Sequence, residues 1–237
     1  MNKSKIIFSS ICIVILLSFI ALMISAFNGI DITTTASSSK IIPQIVIDAG
    51  HGGEDGGAVN NEGVLEKNIN MNIANDTADL LSFFGFSVTQ TRNTDVSLAT
   101  DGNTVRERKV ADMKKRLEMF NSNENNIVIS IHQNKFTQSQ YYGTQIFYSP
   151  NNENSLALAE NIKSTVTTLL QPDNKRECKK ADKNIYLLVH SDVPAVIVEC
   201  GFISNPDECA KLVTNEYQKQ MAYSIVSGFL NFYNTNS

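Results

Sequence analysis

Short apolar runs mark the strands of this chain. Residues 44–48, 127–131 and 195–198 are almost entirely apolar, with little alternation between apolar and polar side chains. That pattern is typical of strands buried on both faces of a sheet. Residues 86–91, 144–148 and 185–189 are further strand candidates.

Segments with helical spacing lie between these runs. Four stripes of apolar residues have the periodicity of one helix face. The stripes are Ile69, Ile73, Leu80 and Phe84; Val110, Met113, Leu117 and Phe120; Ala159, Ile162, Val166 and Leu169; and Ala222, Ile225, Phe229 and Phe232. Gly85 follows the first stripe as a typical C-terminal stop. Strands alternating with helices predict a single α/β domain, in which a mostly parallel twisted sheet is flanked by helices on both faces. We expect the stripes to lie in its core.

The N-terminal segment has the character of a membrane anchor or a signal sequence. Lys3 and Lys5 precede an uncharged stretch from residue 6 to residue 27. This length favours an uncleaved anchor, because the apolar region of a cleaved signal is usually shorter, roughly 7–15 residues. Residues 1–27 are therefore predicted to direct the rest of the chain out of the cytoplasm, and cleavage stays an open alternative.

The remainder of the chain is predicted to be one linker and one domain. Residues 28–40 are polar and aperiodic, which is typical of a solvated linker, and residues 41–237 have the size of a single globular domain. The chain has 20 Lys and Arg against 24 Asp and Glu, a net charge of −4. This acidic balance argues against nucleic acid as a partner.

Three cysteines lie in the predicted domain. Cys178, Cys200 and Cys209 cannot all pair within one chain, and a domain of this size does not need disulfides for stability. We therefore expect free thiols, with a Cys200–Cys209 bridge as the alternative.

Three of the apolar runs end in a residue that can exchange a proton. His51 follows the first, His132 the second and Glu199 the third. Ligand sites in open α/β sheets lie at the carboxyl ends of the strands, so we expect these side chains to converge. Glycines on both sides of His51 let the backbone turn sharply. A phosphate-binding loop is the alternative, but neither standard glycine pattern is present.

Two histidines and one carboxylate are a known ligand set for catalytic zinc. Glu66, at the start of the first helical stripe, is the candidate for the third ligand, although a glutamate there can also simply complement the helix dipole. Glu199 ends a buried strand and is either a structural partner or a general base whose pKa is raised by partial burial.

Two other sites compete with this interpretation. Residues 190–192, His-Ser-Asp, have the composition of a serine hydrolase triad, but adjacent residues of an extended chain point to opposite faces. Cys200 beside either histidine is a thiol-nucleophile alternative, which leaves both glutamates without a role.

Four segments resemble the motifs of one enzyme family. They are Asp48–Ala58 (DAGHGGEDGGA), Gly63–Asn70 (GVLEKNIN), Ser130–Asn134 (SIHQN) and Val198–Asn205 (VECGFISN). Over about residues 45–235 the chain is similar to the zinc-dependent N-acetylmuramoyl-L-alanine amidases of the Amidase_3 family. It looks closest to the germination-specific spore-cortex amidases of endospore formers, a finer match supported by the stretch at 106–116.

The resemblance implies the roles of the site residues. It makes His51, Glu66 and His132 the ligands of one zinc ion and Glu199 the catalytic carboxylate. The reaction is hydrolysis of the amide between N-acetylmuramic acid and L-alanine in peptidoglycan, which in cortex precedes formation of the muramic lactam. Gln133 stands where a small residue is common, so we expect substrate contacts to differ there.

The resemblance also implies the setting of the enzyme. Its substrate is peptidoglycan, reached from the membrane or after secretion, facing the cell wall or the forespore intermembrane space. Residues 133–143 are too few for the inhibitory helix of some relatives. We therefore expect control by timing, location or an activating protein partner, and a monomeric state. A zinc peptidase cutting within the stem peptide and a non-catalytic wall-binding module stay open as alternatives.

Overall fold

The described part of the structure, a computed structural model, comprises residues 42–99 and 101–235. The predicted anchor and linker, residues 1–40, lie outside the described residues, so both assignments stay predictions. Within the described ranges, no helix combines the length and the hydropathy that a membrane span requires.

A six-stranded sheet forms the centre of the domain. Its strands are β1 (Gln44–Ala49), β2 (Ser87–Gln90), β3 (Asn126–Asn134), β4 (Gln145–Tyr148), β5 (Lys179–Lys180) and β6 (Ala195–Phe202). They are arranged in the order β2-β1-β3-β6-β4-β5. Strands β2, β1, β3 and β6 are parallel, and β4 and β5 run in the opposite direction. The predicted, mostly parallel sheet is therefore confirmed.

Helices cover both faces of this sheet, as predicted. They are α1 (Glu66–Phe83), α2 (Val105–Phe120), α3 (Asn154–Leu169), α4 (Tyr186–Val189), α5 (Pro206–Leu212) and α6 (Asn215–Thr235). Apolar residues of α1, α3, α5 and α6 form one core with the sheet, while Phe120 of α2 and two leucines of α4 belong to a second.

The side chains of β1 show why the strand runs are so apolar. Ile45 and Ile47 lie in the larger core, whereas Val46 lies in the core on the opposite face. All three are at most 1 % exposed. Because both faces of the strand are covered, every position favours an apolar side chain.

One predicted strand is wrong. Residues 185–189 form a single helical turn, Tyr186–Val189, whose Leu187 and Leu188 are buried against the sheet. A short apolar run fits a buried helical turn as well as a buried strand, so periodicity cannot separate the two. The sixth strand is instead Lys179–Lys180, whose exposed lysines at the sheet edge carry no apolar pattern.

Part of the predicted stripes lies outside the core. Phe84, Val110 and Leu169 are exposed. In α2 the side chain buried beside Phe120 is the polar Arg116. The second helix therefore packs against the sheet through Arg116 as well as through Phe120 and Leu117, and no hydrophobic period predicts the arginine.

Candidate active site

The loop after β1 presents His51 at the sheet edge. His51 has a φ of +63°, a left-handed conformation that is uncommon outside glycine. Two buried arginines hold this loop: Arg92 donates to the carbonyl oxygens of Ala49, Gly50 and His51, and Arg116 donates to those of Ala49 and His51. A Cβ atom at Gly50 would overlap the His132 ring, so this position requires glycine.

Glu66 brings the two histidines together. Its Oε2 lies 3.3 Å from Nε2 of His51, and its Oε1 lies 3.0 Å from Nδ1 of His132. One potential ligand atom from each residue lies within 4.8 Å of the others. The backbone N–H groups of Ala58 and Gln133 donate to the same carboxylate and fix its orientation. Glu66 begins α1, but its contacts go well beyond complementing the helix dipole.

The electrostatics of this cluster favour a cation. Burial lowers the pKa of His51, but hydrogen bonds with Asp55 and Glu66 outweigh it and raise that pKa to about 9. Burial raises the pKa of Glu66, but the two histidines hold it well below its usual range. Asp55 lies 2.8 Å from Nδ1 of His51. A carboxylate behind an imidazole is the usual support of a metal-binding histidine, so the donor set fits zinc.

Glu199 lies beside this cluster on β6. It is the Cα partner of His132 across the β3–β6 ladder, so both side chains lie on the same face of the sheet. Its Oε2 is buried and has no hydrogen-bond partner among the described residues. Burial raises the pKa of Glu199 to about 7, although the neighbouring histidines oppose this. A buried, unpaired carboxylate oxygen suits a proton-transfer group better than a structural partner.

Asp48 is a supporting residue whose signal in the sequence was missed. Asp48 is fully buried and pairs with Arg116, and it accepts hydrogen bonds from Thr91 at 2.7 Å and Ser130 at 2.5 Å. Burial raises the pKa of Asp48, but Arg116, His132 and the two hydroxyl donors together outweigh it and hold that pKa below its usual range. An aspartate inside an apolar run was itself a signal, because buried charges are rarely left without a partner.

The expectation that Gln133 alters substrate contacts is wrong. Its side chain is 3 % exposed and donates to Asn70 of α1 at 3.1 Å. Successive residues of a strand point to opposite faces, so the Gln133 side chain turns away from the face that carries His132.

His190, Ser191 and Asp192 do not form the competing serine hydrolase triad. Ser191 donates to the carbonyl of Val193, while Nδ1 of His190 contacts the carbonyl of Tyr186. Asp192 accepts from Asn121. Each of the three polar groups therefore has a different partner, and no relay forms.

The cysteines are free thiols, as expected. Cys178, Cys200 and Cys209 form no disulfide, so the alternative Cys200–Cys209 bridge is absent. Cys200 is fully buried, and burial raises the pKa of its thiol. A buried thiol held protonated is unsuited to nucleophilic catalysis.

Comparison with known proteins agrees with this geometry. The family model described as N-acetylmuramoyl-L-alanine amidase matches residues 45–231. The germination-specific N-acetylmuramoyl-L-alanine amidase of Bacillus subtilis is 34 % identical over 197 residues, which is 83 % of this chain and 81 % of the relative.

Solved structures have the same fold. The CwlD amidase of Clostridioides difficile, in complex with the GerS lipoprotein, gives a TM-score of 0.78 at 37 % identity, covering 81 % of this chain and 99 % of that one. An N-acetylmuramoyl-L-alanine amidase of Clostridium difficile 630 gives 0.71 at 26 % identity, covering 82 % and 98 %.

Proposed function

The chain belongs to the Amidase_3 family of N-acetylmuramoyl-L-alanine amidases, and from that premise we propose that it cleaves peptidoglycan with one zinc ion held by His51, Glu66 and His132. The bond cleaved is the amide between the lactyl group of N-acetylmuramic acid and L-alanine. The observation that carries the proposal is the convergence of these three side chains beside the unpaired carboxylate of Glu199.

The protein supplies a fixed and charged frame for this chemistry. When bound, zinc supplies a Lewis acid that polarises a carbonyl and acidifies water. Asp55 fixes the ring orientation of His51, and the Ala58 and Gln133 amides fix Glu66. Because these groups are already placed, little reorganisation is needed when substrate binds.

Glu199 moves the proton. We assign its Oε2 to take a proton from the attacking water and then to deliver it to the leaving nitrogen of alanine. The products are a muramic acid residue with a free lactyl carboxylate and a stem peptide with a free amino group. Water is consumed, and no other reactant is required.

The test is an analysis of released fragments. The purified protein is incubated with peptidoglycan and zinc, and a parallel reaction contains a chelator. We expect stem peptides beginning with L-alanine in mass spectra of the zinc reaction alone. Fragments cut within the peptide would identify a zinc peptidase, and no fragments would contradict the proposed hydrolysis.

We further propose spore cortex as the site of action. The support is the 34 % identity to a germination-specific amidase. A strain lacking this protein should then form spores whose cortex lacks muramic lactam and whose germination is blocked. Normal lactam content in such spores would contradict the cortex role.

We also infer an extracytoplasmic location and a lipoprotein partner. The location is supported by the family's cell-wall substrate. The partner is supported by the related CwlD amidase, whose structure contains a lipoprotein. Co-purification of the corresponding lipoprotein with the full-length chain, and zinc content with and without it, would test the partner. Unchanged zinc loading and no complex would contradict it.

A further inference from the structure

A cavity of about 350 Å³ opens on the side of the sheet where the strands become antiparallel, and residues next to Glu199 and His132 in the sheet line it. Gln145 lines it and is the Cα partner of Glu199 across the β4–β6 ladder. Phe202 also lines it and pairs with Asn134, which lies two residues after His132. The cavity therefore adjoins the reacting centre through two neighbouring strands.

Arg176 is held in this cavity with its terminal nitrogens free. Its Nε donates to the Tyr142 carbonyl at 2.8 Å, and its Cζ lies 4.5 Å from the centre of the Phe202 ring. Among the described residues, the two terminal nitrogens have neither a hydrogen-bond acceptor nor a carboxylate within ion-pair distance. The carboxylate oxygens of nearby Glu208 accept instead from the amides of Gly143 and Phe202.

The cavity has the chemistry of an anion site. Lys179 adds a second cation, and no acidic residue is among the residues that line the cavity. A guanidinium fixed at Nε and stacked on an aromatic ring still offers a two-pronged face of N–H donors. This face matches the two oxygens of a carboxylate, and the fixed orientation lowers the entropy lost on binding.

We propose that this cavity binds a carboxylate of the peptidoglycan stem peptide, with Arg176 as the recognising residue and Lys179 as the supporting charge. The inference rests on the proposed function, because a stem peptide attached at the scissile amide carries free carboxylates that can reach a cavity beside Glu199. Arg176 then determines specificity for acidic stem peptides and takes no part in proton transfer.

The test measures peptide binding separately from hydrolysis. Calorimetry with the full-length protein compares a free stem tripeptide with the same peptide amidated at its carboxylates. We expect amidation to weaken wild-type binding by about tenfold or more, the usual range for a charge-assisted hydrogen-bond pair. Arg176→Lys keeps the charge but loses the two-pronged set of N–H donors, so it should weaken binding of the acid form about tenfold and reduce the effect of amidation.

Two further variants keep the result interpretable. Lys175→Ala removes a neighbouring exposed cation that does not line the cavity, and it should bind both peptides as the wild type does. Lys179→Gln is on an exposed edge strand, and it should reduce binding of the acid form about threefold even if the Arg176 variant unfolds.

The outcomes separate this inference from the proposed function. Undetectable binding of the acid form to the wild type, or an amidation effect as large in Arg176→Lys as in the wild type, would overturn the carboxylate site. Equal loss of binding with both peptides in Arg176→Lys would also overturn it, because it would indicate contacts with the peptide backbone. Arg176-dependent binding without any zinc-dependent hydrolysis would support the site and reject the amidase chemistry.

Discussion

The ion pair between Asp48 and Arg116 is the contact whose loss should cost the domain most stability. The two side chains are 0 % and 3 % exposed. Arg116→Met replaces the guanidinium by an apolar side chain of similar reach. It leaves Asp48 with the hydroxyl groups of Thr91 and Ser130 as its donors, and it removes two hydrogen bonds to carbonyls at the end of β1.

The size of the effect follows from the uncompensated charge. Removing one partner of a buried ion pair costs about 3–5 kcal/mol, whereas typical domains have about 5–15 kcal/mol in total. The two remaining hydroxyl donors place our expectation near the lower end, at about 3 kcal/mol. Asp48→Asn combined with Arg116→Met removes the stranded charge, so the double variant should be about 1–2 kcal/mol more stable than Arg116→Met alone.

The free energy of unfolding depends on pH through Asp48, and the sign of this dependence follows from the shift of its pKa. In the wild type the pKa of Asp48 is held below its ordinary value. Its contribution is therefore present above the unfolded pKa, about 3.9, and is lost as the pH falls through the folded pKa. In Arg116→Met, burial acts without the guanidinium and raises the pKa of Asp48. The stability deficit should then be largest near pH 7 and shrink as the pH falls toward that raised pKa.

Urea unfolding followed by far-UV circular dichroism measures these differences. The zinc-free wild type, Arg116→Met and the double variant are compared at pH 7 and pH 5.5. A single variant within 1 kcal/mol of the wild type at pH 7 would refute the reasoning. A double variant less stable than the single one would refute it as well, since the stranded charge would then not be the cause.

Three further predictions concern the site. Glu199→Gln should keep zinc, measured by elemental analysis, and lose about 10²–10⁴-fold in hydrolysis; unchanged turnover would reject its role as base. Gly57→Ala would place a Cβ 2.6 Å from the Glu66 carboxylate and should weaken zinc binding at least about tenfold in a competition titration. Gly63→Ala is the control, since its φ of +84° is similarly left-handed but nothing lies within 4 Å. Alkylating reagents should leave the native enzyme active because Cys200 is buried; rapid inactivation would revive the thiol mechanism.

The strands of the sheet could be predicted where both of their faces are buried. Residues of β1, β3 and β6 meet apolar neighbours on both faces, and so their sequences are continuous apolar runs. Leu187 and Leu188 are buried by the same core, yet they lie in a helical turn. Composition shows that a short segment is buried, but the backbone conformation depends on the partners available to it.

The candidate site was predictable at its centre and not around it. His51, His132 and Glu199 each follow an apolar run, so their meeting at one edge follows from parallel strands. The arginines that hold the His51 loop lie 41 and 65 positions from it along the chain. No local spacing connects residues so far apart, and their partners are carbonyl groups that every residue carries.

The position of β6 constrains the order in which this domain can assemble. This strand is the last of the sheet in sequence, yet it lies between β3 and β4. Until it inserts, β4 and β5 have no link to the other three strands, and Glu199 is absent from the sheet edge. A chain emerging from its N-terminus therefore gains hydrolytic capacity after about 200 residues have appeared. Such long-range closure is slow compared with local folding, so we expect the strand that carries Glu199 to join the sheet late in folding.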